Sequence, residues 1–338
     1  MMRVARAPGR VNLIGDHTDY TGGLVLPLAI DRYTDVVIET ELDDRVELSS
    51  ADEPERAAVE LSVTRPADVR PAWARYVAGV IAELAPSRGL RGHVRTTIPI
   101  GAGLSSSAAL EVATAIALGP GSTSTLELAQ LCQRAEHRAT GVPSGIMDQW
   151  CIAAGVEGHA LLLDCGDLTA QPTPLPDDAE IVVRFIAHRT LEGSPYADRV
   201  AQCTAAERAV GPLRAASESD LGAITDRVVR SRARHVVGEN RRVREAAAAL
   251  AQGDLATVGG LMIDSHDSLR DLYETSTPQM DAAVAAVVGV PGVHGARMTG
   301  GGFGGCVVAL TEPGALADVW PDGWVVRAVR GAHLIELD

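Results

Sequence analysis

Pro99-Ile100-Gly101-Ala102-Gly103-Leu104-Ser105-Ser106-Ser107-Ala108-Ala109 is the stretch on which the fold turns. Before it, His93-Val-Arg-Thr-Thr-Ile98 alternates like a strand. After it, Ala108 to Leu118 is a run of helix formers that Ser106 or Ser107 can begin. A strand, a glycine turn and a helix N-terminus in succession present unpaired N–H groups to an anion. Glycine permits close backbone approach, the serine hydroxyls suit phosphate oxygens or a metal, and the helix dipole favours negative charge. A serine-capped tight turn has the same wording, so the block needs partners elsewhere in the chain.

Composition narrows what those partners do. All 30 basic side chains are arginine, and lysine is absent. That excludes the lysine-bearing phosphate loop of P-loop enzymes, the strand lysine of protein kinases, and Schiff-base chemistry. Phosphate handling must then fall to backbone N–H groups, arginine and a metal. A net charge of −14 argues against nucleic acid but leaves an anionic small molecule open, since that needs only a local cluster. Five widely spaced cysteines without a Cys-x-x-Cys pair indicate neither a disulfide framework nor a zinc site. The opening Met-Met-Arg-Val-Ala-Arg lacks a signal-peptide apolar run, and apolar stretches elsewhere fall short of membrane-spanning length. A soluble, cytoplasmic monomer that binds neither nucleic acid nor membrane is expected.

A chain of 338 residues, 46% apolar, suits two intimately packed domains. Leu24 to Ile30 and Asp35 to Glu39 read as strands, and residues 51–71 as a short strand with loops. Helical spacing of Trp73, Tyr76, Val77, Val80, Ile81 and Leu84 predicts a helix that Pro86 ends. A second helix runs from about Thr125 to Ala139, and strands return between 160 and 187. Beyond that the chain is helical at 196–215, 239–252 and 279–288, until Val307 to Leu310 forms a strand. Repeats and flexible linkers are absent, and the division falls into domains of residues 1–175 and 176–338.

Two further blocks carry chemistry. Gly9-Arg10-Val11-Asn12-Leu13-Ile14-Gly15-Asp16-His17-Thr18-Asp19-Tyr20 sets a cation, two carboxylates, an imidazole and a phenol in a dozen residues, a density suited to a small polyhydroxylated molecule. Arg10 can bind an oxyanion while its charge holds a neighbouring aspartate ionised, and Asp16, His17 and Asp19 can hydrogen-bond sugar hydroxyls. Between Glu136-His137 and Asp148 a helix passes into Gly-Val-Pro-Ser-Gly-Ile-Met, with a carboxylate at each end. One can ligate Mg²⁺ with a serine hydroxyl and triphosphate oxygens while the other faces an acceptor hydroxyl. Asp148 reads equally as the N-cap of a helix through Gln149-Trp150. Thr299-Gly-Gly-Gly-Phe-Gly-Gly305 offers backbone only, for close packing beneath the phosphate loop and sugar site, or as a plain glycine hairpin.

In wording and order the three blocks resemble the galactokinase branch of the GHMP small-molecule kinases. The likeness continues through Trp73-Ala-Arg-Tyr76, Leu191-Glu-Gly-Ser-Pro-Tyr196 and Arg232-Ala-Arg-His-Val-Val-Gly-Glu-Asn240, and ends near Gly305. It implies an α+β fold in which a mixed-sheet N-terminal domain, like the second domain of ribosomal protein S5, faces a ferredoxin-like C-terminal domain across the active site. It further implies transfer of phosphate from MgATP to the anomeric hydroxyl of galactose. On that resemblance Asp148 is the catalytic aspartate with Arg10 its companion, and Asp16, His17, Asp19, Gly145 and Tyr196 line the sugar pocket. Gly101, Gly103, Ser105, Ser106 and Ser107 cradle ATP, Ser107 and Glu136 lie near Mg²⁺, and Trp73 near the adenine.

Three departures stand out. Asp16 replaces a glutamate expected to reach the sugar's C6 hydroxyl. His188-Arg189 inverts the family's basic-then-histidine order, and the chain is several tens of residues shorter than typical members. The Asp16 change keeps related sugar 1-kinases in play, acting on arabinose, galacturonate or N-acetylgalactosamine. A non-catalytic galactose sensor and a mevalonate- or homoserine-type kinase stand behind them.

Overall fold

The computed structural model describes residues 2–188 and 195–337. Arg189 and the segment Leu191 to Ser194, singled out above, lie outside the described residues.

A six-stranded mixed sheet forms the first half. It contains β1 (Met2–Asn12), β3 (Pro27–Leu42), β4 (Arg45–Ser50), β5 (Ala57–Glu60), β6 (Gly89–Thr96) and β13 (His333–Leu337) in the order β13-β1-β3-β6-β4-β5. Only β4 and β6 pair in parallel. Most of the two strands expected before residue 40 is one continuous β3, which pairs with β1 over 27–38 and with β6 over 34–42, while Leu24–Val25 pairs elsewhere. A small sheet of β2 (Leu24–Val25), β7 (His159–Asp164) and β8 (Thr169–Pro174) lies beside it.

Four helices cover this half: α1 (Ala74–Leu84), α2 (Ser106–Ala117), α3 (Thr125–Thr140) and α4 (Met147–Ala154). Helix α2 packs on β1 and β3 and buries a continuous run from Ala108 to Ala115, consistent with its small apolar side chains. Helix α3 starts at a capping box of Ser124 and Glu127, which fixes its register.

The second half is a ferredoxin-like layer. Its antiparallel sheet, β10-β11-β9-β12, comprises β9 (Glu180–Ala187), β10 (Val293–Thr299), β11 (Gly305–Thr311) and β12 (Trp324–Val326). Four further helices accompany it: α5 (Tyr196–Val210), α6 (Arg227–Ala251), α7 (Leu255–Ser268) and α8 (Pro278–Val287). Helix α7 escapes the sequence pattern because Gly259-Gly260 interrupts it. Gly259 is needed there, since a Cβ would strike the backbone of His294 in β10. Helix α6 touches β2 and β8 as well as α5 and α7, so it ties the halves together. One apolar cluster spans both halves, with Leu13 and Ile14 sharing it with Met262, Val308 and Leu310, while a second cluster lies within the second half. Among the described residues no helix is long and apolar enough to cross a membrane.

Candidate active site

The candidate catalytic, sugar-binding, ATP-binding and metal residues all line one cleft of about 480 Å³. Its floor is set by β1, whose last turn of strand delivers Arg10. The backbone N–H of Arg10 donates to Leu104 O at 3.2 Å, which fastens the glycine loop to the sheet. Gly101 and Gly103 both have positive φ, the conformation that turns this loop into the start of α2.

Arg10 and Asp148 form a bidentate pair although 138 residues separate them. Nε donates to Oδ1 and Nη2 to Oδ2, each at 2.7 Å, and Nη1 donates to Gly103 O at 2.7 Å. Burial opposes the Arg10 charge, but the Asp148 carboxylate more than compensates, so the guanidinium stays charged. Asp148 is not an N-cap. It is the second residue of α4, whose cap position is Ile146, and its carboxylate turns to Arg10 instead. Ser105 adds a third anchor, its hydroxyl donating to Asp148 Oδ2 at 2.5 Å. Ser105 occupies the cap position of α2 with φ 62° and makes no side-chain capping bond. A serine held in that left-handed conformation leaves the first N–H groups of α2 uncapped by its hydroxyl and aims that hydroxyl at the aspartate.

Beyond the loop, Ser107 Oγ donates to Glu136 Oε1 at 3.4 Å, while Glu136 Oε2 accepts from Ser144 Oγ at 2.7 Å. At the opposite wall Trp73 is nearly buried and donates from its indole N–H to Glu55 O at 3.0 Å.

The sugar-block residues divide by how much of each is already spoken for. Asp16 is sealed: Arg297 Nη2 lies 2.7 Å from Oδ2, and Gly300 N donates to Oδ1 at 2.9 Å. Arg297 in turn donates to Leu13 O and stands 4.0 Å from Glu239, with no part of it exposed. Glu239 accepts from Gly15 N, Ser265 and Arg242. Burial opposes its charge, but Arg242 and its neighbours draw its pKa down to about 2. His17, at φ 68°, meets Tyr20 OH through Nδ1 at 2.9 Å, and its ring lies 5.5 Å from that of Tyr196. Tyr196 opens α5, so the second half supplies one wall of the cleft. Asp19 sits against Gly145, where any Cβ would run into its carboxylate; only glycine fits. Burial, reinforced by the charge of Asp148, pushes Asp19 up to about 7.

The sequence pattern missed two contributors, Arg297 and Glu111, and read the third glycine block only as backbone packing. Arg297 precedes the third glycine block and reads as an ordinary strand residue. Gly300 and Gly301 enter the cleft through their backbone. Glu111 is hidden in an apolar helix, and only its being the single acid in that helix marks it.

A glycine-serine loop at the head of a buried helix, set over a mixed sheet and closed by a ferredoxin-like half, defines the class of GHMP kinases. The GHMP kinase N-terminal domain description matches residues 74–156, the C-terminal description residues 246–322, and the galactokinase galactose-binding signature residues 2–40. The chain is similar to the galactokinase of Homo sapiens, at 46% identity over 91% of this chain and 83% of that protein. It is 43% identical to the galactokinase of Chloroflexus aurantiacus, covering 97% and 89% of the two chains. The structure of Lactococcus lactis galactokinase complexed with galactose superposes with a TM-score of 0.91 at 32% identity, covering 98% and 95%. The chain belongs to the galactokinase family.

Proposed function

We propose that this chain transfers the γ-phosphoryl group of ATP to the anomeric hydroxyl of galactose, giving the 1-phosphate and ADP. The observation that carries the reading is the Asp148 carboxylate, gripped by Arg10 and Ser105 yet open to the cleft, between the glycine loop and the sugar block.

Asp148 orients the attacking hydroxyl as an acceptor. Phosphoryl transfer is loose, so the nucleophile needs little deprotonation early, and Asp148 receives the proton late. Arg10 keeps the carboxylate in place and puts a fixed positive charge beside the path of the phosphoryl group. The N–H groups of the loop and of the first turn of α2 cradle the phosphates, with Trp73 at the adenine end. Asp19 and His17 hold sugar hydroxyls, Gly145 and Tyr196 shape the pocket, and Asp16, turned toward Arg297, supports its base.

Among the described residues no group of three or more His, Cys, Asp or Glu side chains forms a metal cage. The residues nonetheless suit Mg²⁺, which binds through one or two protein oxygens and completes its shell with phosphates and water. Ser107 Oγ and Glu136 Oε1, 3.4 Å apart, would be those oxygens. Bound there, the ion would neutralise charge on the triphosphate.

The test is ADP release with MgATP against galactose, talose, arabinose, galacturonate, N-acetylgalactosamine and glucose. Fastest turnover on galactose is expected. Preference for a sugar altered at C6 would reassign the substrate to a related sugar 1-kinase. Silence across the panel with galactose still bound would overturn the kinase reading in favour of a sensor.

A further inference from the structure

Glu111 lies in the middle of α2, wholly buried, with alanine, leucine and valine beside it along the helix. A carboxyl group there costs desolvation that an apolar side chain of similar size would avoid, so its presence calls for a polar task. Its one hydrogen bond among the described residues is to Gln149, whose Nε2 donates to Glu111 Oε2 at 3.1 Å. The same nitrogen donates to Glu136 Oε2 at 3.0 Å. Gln149 is also wholly buried, and its two N–H groups are thus divided between two carboxyl groups.

The consequence falls on Glu136. Gln149 and Ser144 both hold Oε2, which leaves Oε1 as the oxygen beside Ser107. Burial, with the charge of Glu136 adding to it, raises Glu111 well above the usual carboxylate range, which favours its protonated form. A neutral acceptor can anchor Gln149 without adding a negative charge beside Glu136 and Asp148. Remove it, and the amide is free to turn, taking Glu136 with it.

We propose that Glu111 is a positioning residue: through Gln149 it holds Glu136 in the orientation that directs Oε1 to the metal and phosphate end of the cleft. The inference rests on the reading of Glu136 as a metal ligand, and its test keeps the two apart.

Mn²⁺ binding in the presence of ADP is followed by electron paramagnetic resonance on the purified chain and on Glu111→Leu, Glu111→Gln and Glu136→Gln. Galactose affinity is measured calorimetrically on each. Glu111→Leu should weaken Mn²⁺ about tenfold, the scale on which groups behind a metal ligand act, and leave galactose affinity unchanged. Glu111→Gln, which still offers an amide oxygen to Gln149, should restore the metal affinity. If Glu111→Leu fails to fold, Gln149→Met removes the same bridge from its other end and must show the same split. Unaltered Mn²⁺ binding in Glu111→Leu or Gln149→Met, alongside its loss in Glu136→Gln, would sink the positioning role alone. Unaltered binding in Glu136→Gln would sink the metal-ligand reading and this inference with it.

Discussion

Two arginine–aspartate pairs lie at or behind the base of this cleft, and exposure separates them. In Arg10–Asp148 the carboxylate keeps 30% of its side chain exposed, toward the cleft. In Arg297–Asp16 the values are 0% and 2%, and the surrounding oxygens and N–H groups come from the protein itself. Both are arginine–aspartate ion pairs, the open one hydrogen-bonded through two N–H groups, and access decides what each can do. The open pair is available to a substrate hydroxyl. The sealed pair clamps the sugar block to the third glycine block and gives up direct chemistry for rigidity.

The sharpest way to break this contrast is to neutralise one acid in each pair. Asp148→Asn should lower kcat roughly 10³-fold, the scale of a lost acid–base group, with galactose still bound by calorimetry. Normal turnover in a folded Asp148→Asn protein would erase the distinction. In the sealed pair the larger effect should be on stability. Asp16→Asn and Glu239→Gln each strip a partner from the buried Arg297 network and should cost about 3–5 kcal/mol in urea unfolding. A cost for either no larger than for Asp148→Asn would show that the second site is not sealed in solution.

The smallest effect sharpens the comparison from a third acid, Asp19, which lies between the two extremes. It is mostly protonated below about pH 7 and ionised above. A carboxylate accepts from sugar hydroxyls, so galactose affinity should rise several-fold between pH 6 and pH 8 and be flat in Asp19→Asn. Because its folded pKa is raised, its contribution to stability is greatest at low pH and is lost as pH rises toward 7. Asp19→Asn should therefore unfold later than the parent protein at pH 8. A slope of affinity with pH that survives the substitution would move the titration to another group.

Much of this was legible in the chain. The glycine loop between β6 and α2 announced itself because turn chemistry is local. Arg10, Asp148 and Ser105 were visible as residue types, but their mutual geometry was not. Asp148 looked like a cap because capping is what local sequence expresses, whereas its partner Arg10 lies far off in sequence on β1. Helix α7 was hidden for a related reason: Gly259 serves a contact with β10 and not its own helix. Arg297 and Glu111 were the hardest to see. Each is an ionisable side chain that local sequence leaves unexplained, and only burial in three dimensions reveals that the position is paired.

The separation along the chain of these partners has a further meaning. Arg10 meets Asp148 across 138 residues, and Asp16 meets Gly300 across 284. Contacts so distant in sequence must close large loops before they return any energy, and they form late. A nascent or nicked chain can therefore own intact helices and an intact glycine loop and still be unable to spend ATP. Assembly of the site waits on nearly every layer of the fold.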